Sequence, residues 1–226
     1  MAGYPCCCGP CEAGTITDTF SGATVNPRWA QAAGGAGGIV SINSGRMRLA
    51  ARNQFGRKRC HNPPTTQTVV TVEIDAYAIS NCSECSLEVR NSEWHNPGGF
   101  GFQENTKQRA MINPATSGND ITGGSGAPFN LFYNNYVGSG TEATNGVTTP
   151  RFSSGNRYSI TVTDIGSGLA DIVYKVDGTT VATHSSKPWV WDDRIYVEVK
   201  SNRTGASPPF FLDHISEWDN YSLIFS

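Results

Sequence analysis

The chain has 226 residues, including 25 Gly and 12 Pro, with 16% charged side chains and a formal net charge of −2. Its length fits a single domain, its charge offers no basic surface for nucleic acid, and no apolar run approaches the ~18 residues of a membrane span. Val (15) and Ile (13) outnumber Leu (6), and Lys occurs only 5 times. This composition excludes a helical bundle and favours an all-β protein.

Four of the seven cysteines lie close to the N-terminus: Cys6, Cys7, Cys8 and Cys11. We therefore predict a Cys-rich N-terminal tail over residues 1–14 and a single β-sandwich domain over residues 15–226. The tail shows neither the basic region nor the apolar run of a secretory signal peptide. We expect either an extracellular location after removal of a signal, or assembly into a virion that is released by lysis.

The first third of the chain predicts several short strands. Residues 15–20 alternate between polar and apolar side chains, and turn-forming residues 43–45 predict a hairpin. Residues 52–64 are basic, end in Pro and are predicted as a loop. The clearest strand covers residues 69–79, whose apolar side chains face one side of the sheet. Its polar face consists of Thr71, Glu73, Asp75 and Tyr77.

The later part of the chain continues this pattern. Residues 113–128 and 138–150 are polar and rich in Gly, and both are predicted as loops. Asp177 and Gly178 separate two strands and are typical of a type I′ hairpin. Because a two-sheet sandwich buries every second residue of its strands, we predict burial of eight alternating residues. These are Val70, Val72, Ile74, Ile160, Val162, Ile172, Val197 and Val199.

Two sets of short motifs follow one another in a recognisable order, over residues 16–80 and 155–226. The first begins with Asp18, Thr19 and Phe20, and continues through Trp29 to the strand at 44–49. The second comprises residues 156–160, 174–178, 195–199 and 213–215. This order resembles the concanavalin A-like lectin and glucanase superfamily, and the second set is similar to its laminin-G-like members.

The resemblance implies an antiparallel two-sheet jelly-roll β-sandwich in which one sheet is curved and has a concave face. Members of this superfamily are lectins, carbohydrate-binding modules, adhesion modules and some glycoside hydrolases. We therefore predict a non-catalytic, lectin-like module for glycan binding or adhesion on an extracellular or virion surface. The alternative is a structural virion or surface-assembly protein that uses the sandwich for self-association. The expected partners are carbohydrate, other copies of the chain or virion proteins.

Glu73 and Asp75 are two positions apart on the predicted strand 69–79. The resemblance to family-16 glucanases implies an E-x-D-x-x-E or E-x-D-x-E motif on a concave strand. Retaining hydrolysis needs two carboxylates about 5 Å apart, one as nucleophile and one as acid. The position of the second Glu is occupied here by Ala78 or Tyr77. We therefore expect that the chain is not an enzyme, and a family-16-like glycoside hydrolase is the second alternative.

Aromatic side chains beside amides and carboxylates predict a glycan-binding surface, because flat rings stack on sugars and polar groups bind their hydroxyls. The candidate ligand-binding residues are Trp94, Tyr133, Tyr136, Asn134, Glu73, Asp75 and Tyr77. If glycans bind, we expect the site on the concave face or its rim loops. The alternative is that several of these rings fill the core, since a sandwich core needs large aromatic side chains.

Two C-x-x-C pairs are 70 residues apart: Cys8 with Cys11, and Cys82 with Cys85. Paired C-x-x-C turns can supply four thiolates to zinc, and the same residues can form disulfides. Either arrangement would staple the tail to the sandwich. Calcium is the second candidate ion, because carboxylates in turns supply its preferred oxygen ligands. The residues considered for it are Asp192, Asp193, Asp213 and Asp219.

Overall fold

A computed structural model describes residues 15–31, 38–51, 54–61, 63, 66–80, 84–91, 108–113, 128–135, 140–148, 155–191, 195–202 and 214–226. The regular secondary structure of these residues consists of β-strands, as the composition predicts. The strands are β1 (Thr15–Asp18), β2 (Ala30–Gln31), β3 (Ile39–Asn43), β4 (Arg46–Ala51), β5 (Gln54–His61), β6 (Val69–Ser80), β7 (Glu84–Arg90), β8 (Gln108–Asn113), β9 (Pro128–Asn135), β10 (Gly140–Thr148), β11 (Asn156–Gly166), β12 (Leu169–Val176), β13 (Thr179–Pro188), β14 (Ile195–Asn202) and β15 (His214–Phe225). Within the described ranges, no helix is long and apolar enough to cross a membrane.

The strands form two antiparallel sheets, which confirms the predicted sandwich. The first sheet has the order β13-β12-β11-β6-β15-β4-β3, and β1 also pairs with β15. The second sheet has the order β10-β9-β8-β7-β14-β5-β2. The predicted central strand is confirmed, because β6 lies between β11 and β15. The predicted pairing of the first and last strands is confirmed by the register between β1 and β15.

The core lies between the two sheets and is built from the alternating apolar residues of both. All eight residues predicted to be buried are buried and belong to this core. Three tryptophans, Trp29, Trp189 and Trp218, are among its largest fully buried side chains. Complete burial of one Val or Ile side chain contributes about 1.5–3 kcal/mol to folding. The buried apolar residues of the alternating strands therefore supply most of the free energy that stabilises the fold.

Two predicted hairpins have the backbone geometry that their sequences favour. Ser44 and Gly45 have φ angles of 51° and 79°, and Asp177 and Gly178 have φ angles of 50° and 78°. Positive φ at both central residues defines a type I′ turn, whose twist matches that of the flanking strands. The turns join β3 to β4 and β12 to β13.

The structure differs from the sequence prediction at two strands. Residues 54–61 form β5 and residues 140–148 form β10, although both segments were predicted to lie in loops. β5 lacks an apolar alternation because Arg59 and His61, rather than aliphatic residues, lie on its core-facing side opposite Val197 and Ile195. β10 pairs with β9. Its Gly and Asn residues are typical of loops, so its sequence does not indicate a strand.

The motif residues near the N-terminus have a structural role. One oxygen of Asp18, Oδ1, accepts a hydrogen bond from the backbone N–H of Phe20 at 3.0 Å. The other, Oδ2, accepts one from Trp29 Nε1 at 3.1 Å and lies 3.5 Å from Arg59 Nη1. Asp18 thereby connects β1 to the following loop and to the second sheet, which explains the motif without any ligand.

Candidate functional site

A charged group lies on the second sheet where β7 and β14 run side by side. The sequences at 88–90 and 198–200 are both Glu-Val-basic. Because successive side chains of a strand point to opposite faces, burial of Val89 and Val199 in the core directs the charged residues to the opposite face. We call this outward side of the second sheet the charged face. Its central residues, the charged quartet, are Glu88, Arg90, Glu198 and Lys200.

The register brings the two glutamates of the quartet together. Glu88 lies directly opposite Glu198 across the ladder between β7 and β14. Each strand also contributes a cation that reaches diagonally to the other: Lys200 Nζ lies 2.8 Å from Glu88 Oε1, and Arg90 Nη2 lies 3.3 Å from Glu198 Oε2. Since both cations contact both carboxylates, the quartet is one connected network rather than two separate ion pairs.

Burial makes these charges interact strongly. The side chains of Glu88, Arg90, Glu198 and Lys200 are all between 1% and 5% exposed. Burial alone raises the pKa of Glu88, but the positive charges of Arg90, Lys200 and Arg109 outweigh it and hold the pKa well below its usual value. Glu88 is therefore ionised at neutral pH and carries a fixed negative charge at the centre of the face.

A pair of buried amides lies at the ends of β7 and β8, on the core side of the second sheet. Asn91 follows Arg90 and Gln108 precedes Arg109, and the two arginines lie directly opposite each other on β7 and β8. The backbone N–H of Gln108 donates to Asn91 Oδ1 at 2.9 Å, and Asn91 Nδ2 donates to Gln108 Oε1. Asn91 Nδ2 also donates to the carbonyl of Val190 at 2.7 Å. This amide pair fixes the ends of β7 and β8 to the segment that follows β13.

Tyr133 lies in the core and not on an exposed surface. Its side chain is 3% exposed and belongs to the buried cluster between the sheets, and its hydroxyl donates to the carbonyl of Pro188. The ring cannot stack on a sugar without leaving the core, so Tyr133 fills the core, which is the alternative role expected for some of these aromatic residues.

The other described candidates lie on the opposite side of the molecule, on the outward face of the first sheet. Glu73, Asp75 and Tyr77 share the polar face of β6, as predicted. Arg157 Nη2 lies 2.9 Å from Glu73 Oε2, and Arg157 Nη1 lies 2.9 Å from Asp75 Oδ1. We call these three charged residues the Arg157 cluster. The guanidinium of Arg46 covers the ring of Tyr77, 3.7 Å from its centre.

Several predicted site residues lie outside the described residues: Trp94, Tyr136, Cys8, Cys11 and Cys82. Asn134 is on β9 and Cys85 on β7, but their side chains are also outside the described part. The stapling of the tail by these cysteines therefore stays a prediction.

Cys60 on β5 is disulfide-bonded. It lies directly opposite Tyr196, whereas Cys85 lies opposite Ser201 on the other side of β14. Five residues of strand at about 3.3 Å each separate these two cysteines by more than the ~7 Å limit for bonded Cα atoms. Cys60 is therefore not bonded to Cys85.

Within the described residues, no group of three or more His, Cys, Asp or Glu side chains is placed to hold a metal ion. Of the four aspartates considered for calcium, only Asp219 falls in this part of the chain. It lies opposite Asp75 on β15, and partial burial together with the charge of Asp75 raises its pKa. Zinc and calcium sites stay predictions.

Sequence reasoning missed the charged quartet. The available signal was the repeated Glu-Val-basic triplet at 88–90 and 198–200, in each case on an alternating strand. The motif that begins at Glu73 covers residues of β6 alone. Only the register between β7 and β14 shows that two glutamates far apart in the chain face each other.

Solved structures share this fold. A GlcNAcα1-4Gal-releasing endo-β-galactosidase from Clostridium perfringens matches 95% of this chain with a TM-score of 0.61 at 12% identity, and the chain spans 63% of that enzyme. An endo-β-1,4-glucuronan lyase from the fungus Trichoderma reesei matches 95% of this chain and 96% of its own, with a TM-score of 0.58 at 11% identity. The carbohydrate recognition domain of Emp47p matches 94% and 95%, with a TM-score of 0.52 at 11% identity. No known family model and no curated protein sequence matches the chain.

The fold is therefore the concanavalin A-like jelly roll, as the motifs suggested, and it is a fold of carbohydrate-related proteins. The expectation that the chain is not an enzyme is wrong. An alginate lyase, a β-glucanase from Bacillus licheniformis and porphyranase B also share the fold, so most of these similar structures are glycosidases or lyases. The missing Glu beside Glu73 excluded only one motif on one strand. It did not exclude carboxylates from other strands or a lyase mechanism.

Proposed function

We propose that this chain binds a polysaccharide on the charged face of the second sheet and cleaves it there. The observation that carries the proposal is the pairing of Glu88 with Glu198 on one outward face, with Arg90 and Lys200 in contact with both. Carboxylates accept hydrogen bonds from sugar hydroxyls, and guanidinium and ammonium groups donate to sugar oxygens or carboxylates. The kinship of fold with glycosidases and lyases supports the proposal.

The energetics of the quartet also support a functional role. Replacement of a buried ion network by apolar residues of similar volume is often neutral or stabilising, so such a network is weak evidence for a role in stability alone. Fixed charges in a site that excludes water are, in contrast, the main means by which enzymes stabilise charge that develops during a reaction. The buried quartet provides such fixed charges.

The electrostatics limit the chemical role of Glu88. Arg90 and Lys200 favour the ionised form of Glu88, and the depressed pKa of Glu88 makes it unsuited to act as a general acid. We assign Glu88 to the stabilisation of positive charge and to the orientation of Arg90 and Lys200. A proton for a leaving sugar oxygen then has to come from a group other than Glu88.

The disulfide bond of Cys60 supports an extracellular or virion location, because disulfides persist in oxidising compartments. Self-association and contact with virion proteins, the alternative from the sequence, stay predictions.

The test is incubation of the purified full chain with alginate, glucuronan, porphyran and mixed-linked β-glucan. Reducing ends would be measured together with the ultraviolet absorbance of unsaturated sugar ends. We expect cleavage of at least one polymer, where new absorbance identifies elimination and reducing ends alone identify hydrolysis. Glu73→Gln, on the first sheet, is the control and should retain full activity. Binding of a polymer without cleavage, or loss of activity in Glu73→Gln, would contradict the proposal.

A further inference from the structure

We infer that Glu198, rather than its partner Glu88, is the carboxylate of the charged quartet that contacts the substrate. The inference rests on the proposed function and deepens it, because it assigns different roles to two glutamates that lie directly opposite each other in the sheet. The difference between them lies in how many donors each carboxylate already has, and in the glycine that packs closely against Glu198.

The oxygens of Glu88 are saturated by the protein. Oε1 accepts from Lys200 Nζ at 2.8 Å and from the hydroxyl of Ser86 at 3.5 Å. Oε2 accepts from Nε of Arg90 at 2.9 Å and also from Nη2 of Arg90. With donors on both oxygens, Glu88 has little remaining capacity for a ligand and serves to hold the two cations in place.

Glu198 has a buried oxygen whose hydrogen-bonding capacity is unused. Oε1 lies 3.3 Å from Lys200 Nζ, but it receives no hydrogen bond from the described part of the chain. An unsatisfied buried acceptor retains its full desolvation cost, and native structures contain few of them. A hydroxyl of a bound sugar ring is the donor that would satisfy this oxygen, which gives Glu198 a direct role in substrate binding.

Gly56 on the neighbouring strand leaves the space for this oxygen. It lies opposite Lys200 on β5, and a Cβ atom built there would be 3.1 Å from Glu198 Oε1 and 2.9 Å from Lys200 Cγ. It would also lie 2.9 Å from the carbonyl of Val199. Glycine inside a strand weakens it and often marks a close approach. Gly56 is therefore a positioning residue for Glu198 and Lys200.

The experiment measures the affinity of the full chain for alginate, glucuronan, porphyran and β-glucan chains by calorimetry, with the folded fraction checked by thermal unfolding. We expect Glu198→Gln to weaken binding by about tenfold to a hundredfold, the range for a lost hydrogen bond to a buried charge. Gly56→Ala, which keeps every charge, should weaken binding by about tenfold. Gly22→Ala is its matched control, because an added Cβ there meets Thr24 only at an ordinary 3.4 Å.

A rescue separates positioning from general damage. Glu198→Asp shortens the carboxylate and should restore part of the binding that Gly56→Ala loses, whereas a sheet that is merely destabilised would not be rescued. Wild-type binding together with unchanged affinity in Glu198→Gln would overturn the inference and leave the proposed function standing. Failure of the wild-type chain to bind any of the four polymers would overturn both.

Discussion

The Arg157 cluster and the charged quartet are built from the same chemical groups, but they differ in exposure. Both lie on the outward face of a sheet and join carboxylates to basic residues of an adjacent strand. Arg157 and Glu73 are 38% and 31% exposed, whereas every side chain of the quartet is at most 5% exposed. Partial burial lowers the pKa of Arg157, but its hydrogen bonds to Glu73 and Asp75 outweigh this and raise it.

The comparison shows what burial changes. Solvent screens the Arg157 cluster, so its two ion pairs contribute about 0.5 kcal/mol each. In the quartet, removal of one partner leaves an uncompensated buried charge, which costs about 3–5 kcal/mol. The exposed cluster is a local contact between β6 and β11, and the buried quartet is one connected electrostatic network across β7 and β14.

The largest expected effect is the loss of one quartet carboxylate. Glu88→Ala should lower the free energy of unfolding by about 3–5 kcal/mol, because Arg90 and Lys200 keep only Glu198 as a common partner and one buried positive charge is left uncompensated. Glu73→Ala should lower it by no more than about 1 kcal/mol. Urea denaturation of both variants checks the difference, and equal losses would show that burial does not distinguish the two groups.

A second prediction concerns His61, a buried side chain that loses its proton on burial. Burial and the positive charges of Arg59 and Arg28 lower the pKa of His61 to about 3 from 6.5. Below pH 6.5, His61 therefore binds a proton in the unfolded chain but not in the native chain. The free energy of unfolding should fall by about 1.4 kcal/mol per pH unit from pH 6.5 towards pH 3.

His61→Gln keeps a hydrogen-bonding group opposite the Tyr221 hydroxyl, which lies 2.8 Å from His61 Nε2 in the wild-type chain. We expect the variant to show a flatter dependence between pH 6.5 and pH 4.5, above the range in which Glu88 takes up a proton. Urea midpoints over this interval measure it. Parallel curves for wild type and variant would contradict the assignment.

A third prediction concerns the core beneath the charged face. Tyr133→Phe removes the hydroxyl that donates to Pro188 and leaves the ring in the core. It should cost about 1 kcal/mol of stability, the usual net value of one hydrogen bond, and leave polysaccharide binding unchanged. Calorimetry of unfolding and of binding checks both parts. Weaker polysaccharide binding with unchanged stability would show that Tyr133 contacts the ligand.

The smallest effect is expected at the Arg157 cluster itself. Arg157→Ala should destabilise the chain by at most about 1 kcal/mol, and the difference from wild type should shrink in salt, because exposed ion pairs are screened. Thermal unfolding at low and high ionic strength measures this. A loss that is large and insensitive to salt would place the cluster with the buried quartet.

The sequence predicted those parts of the fold that depend on local patterns. Alternation identified β6 and the buried residues Val70 and Val197, and Asp177-Gly178 identified a turn. β5 was missed because Arg59 and His61 occupy core-facing positions where a strand usually has apolar residues. The quartet was missed for a different reason: Lys200 and Glu88 are 112 positions apart, and only the strand register brings them together.

The most direct test of the central claim, polysaccharide cleavage on the charged face, is a crystal structure of the wild-type chain with an oligosaccharide of the polymer that the activity assay identifies. The account predicts a sugar over the charged face, with a hydroxyl within hydrogen-bond distance of Glu198 Oε1. A sugar bound over the Arg157 cluster, or anywhere on the outward face of the first sheet, would contradict it.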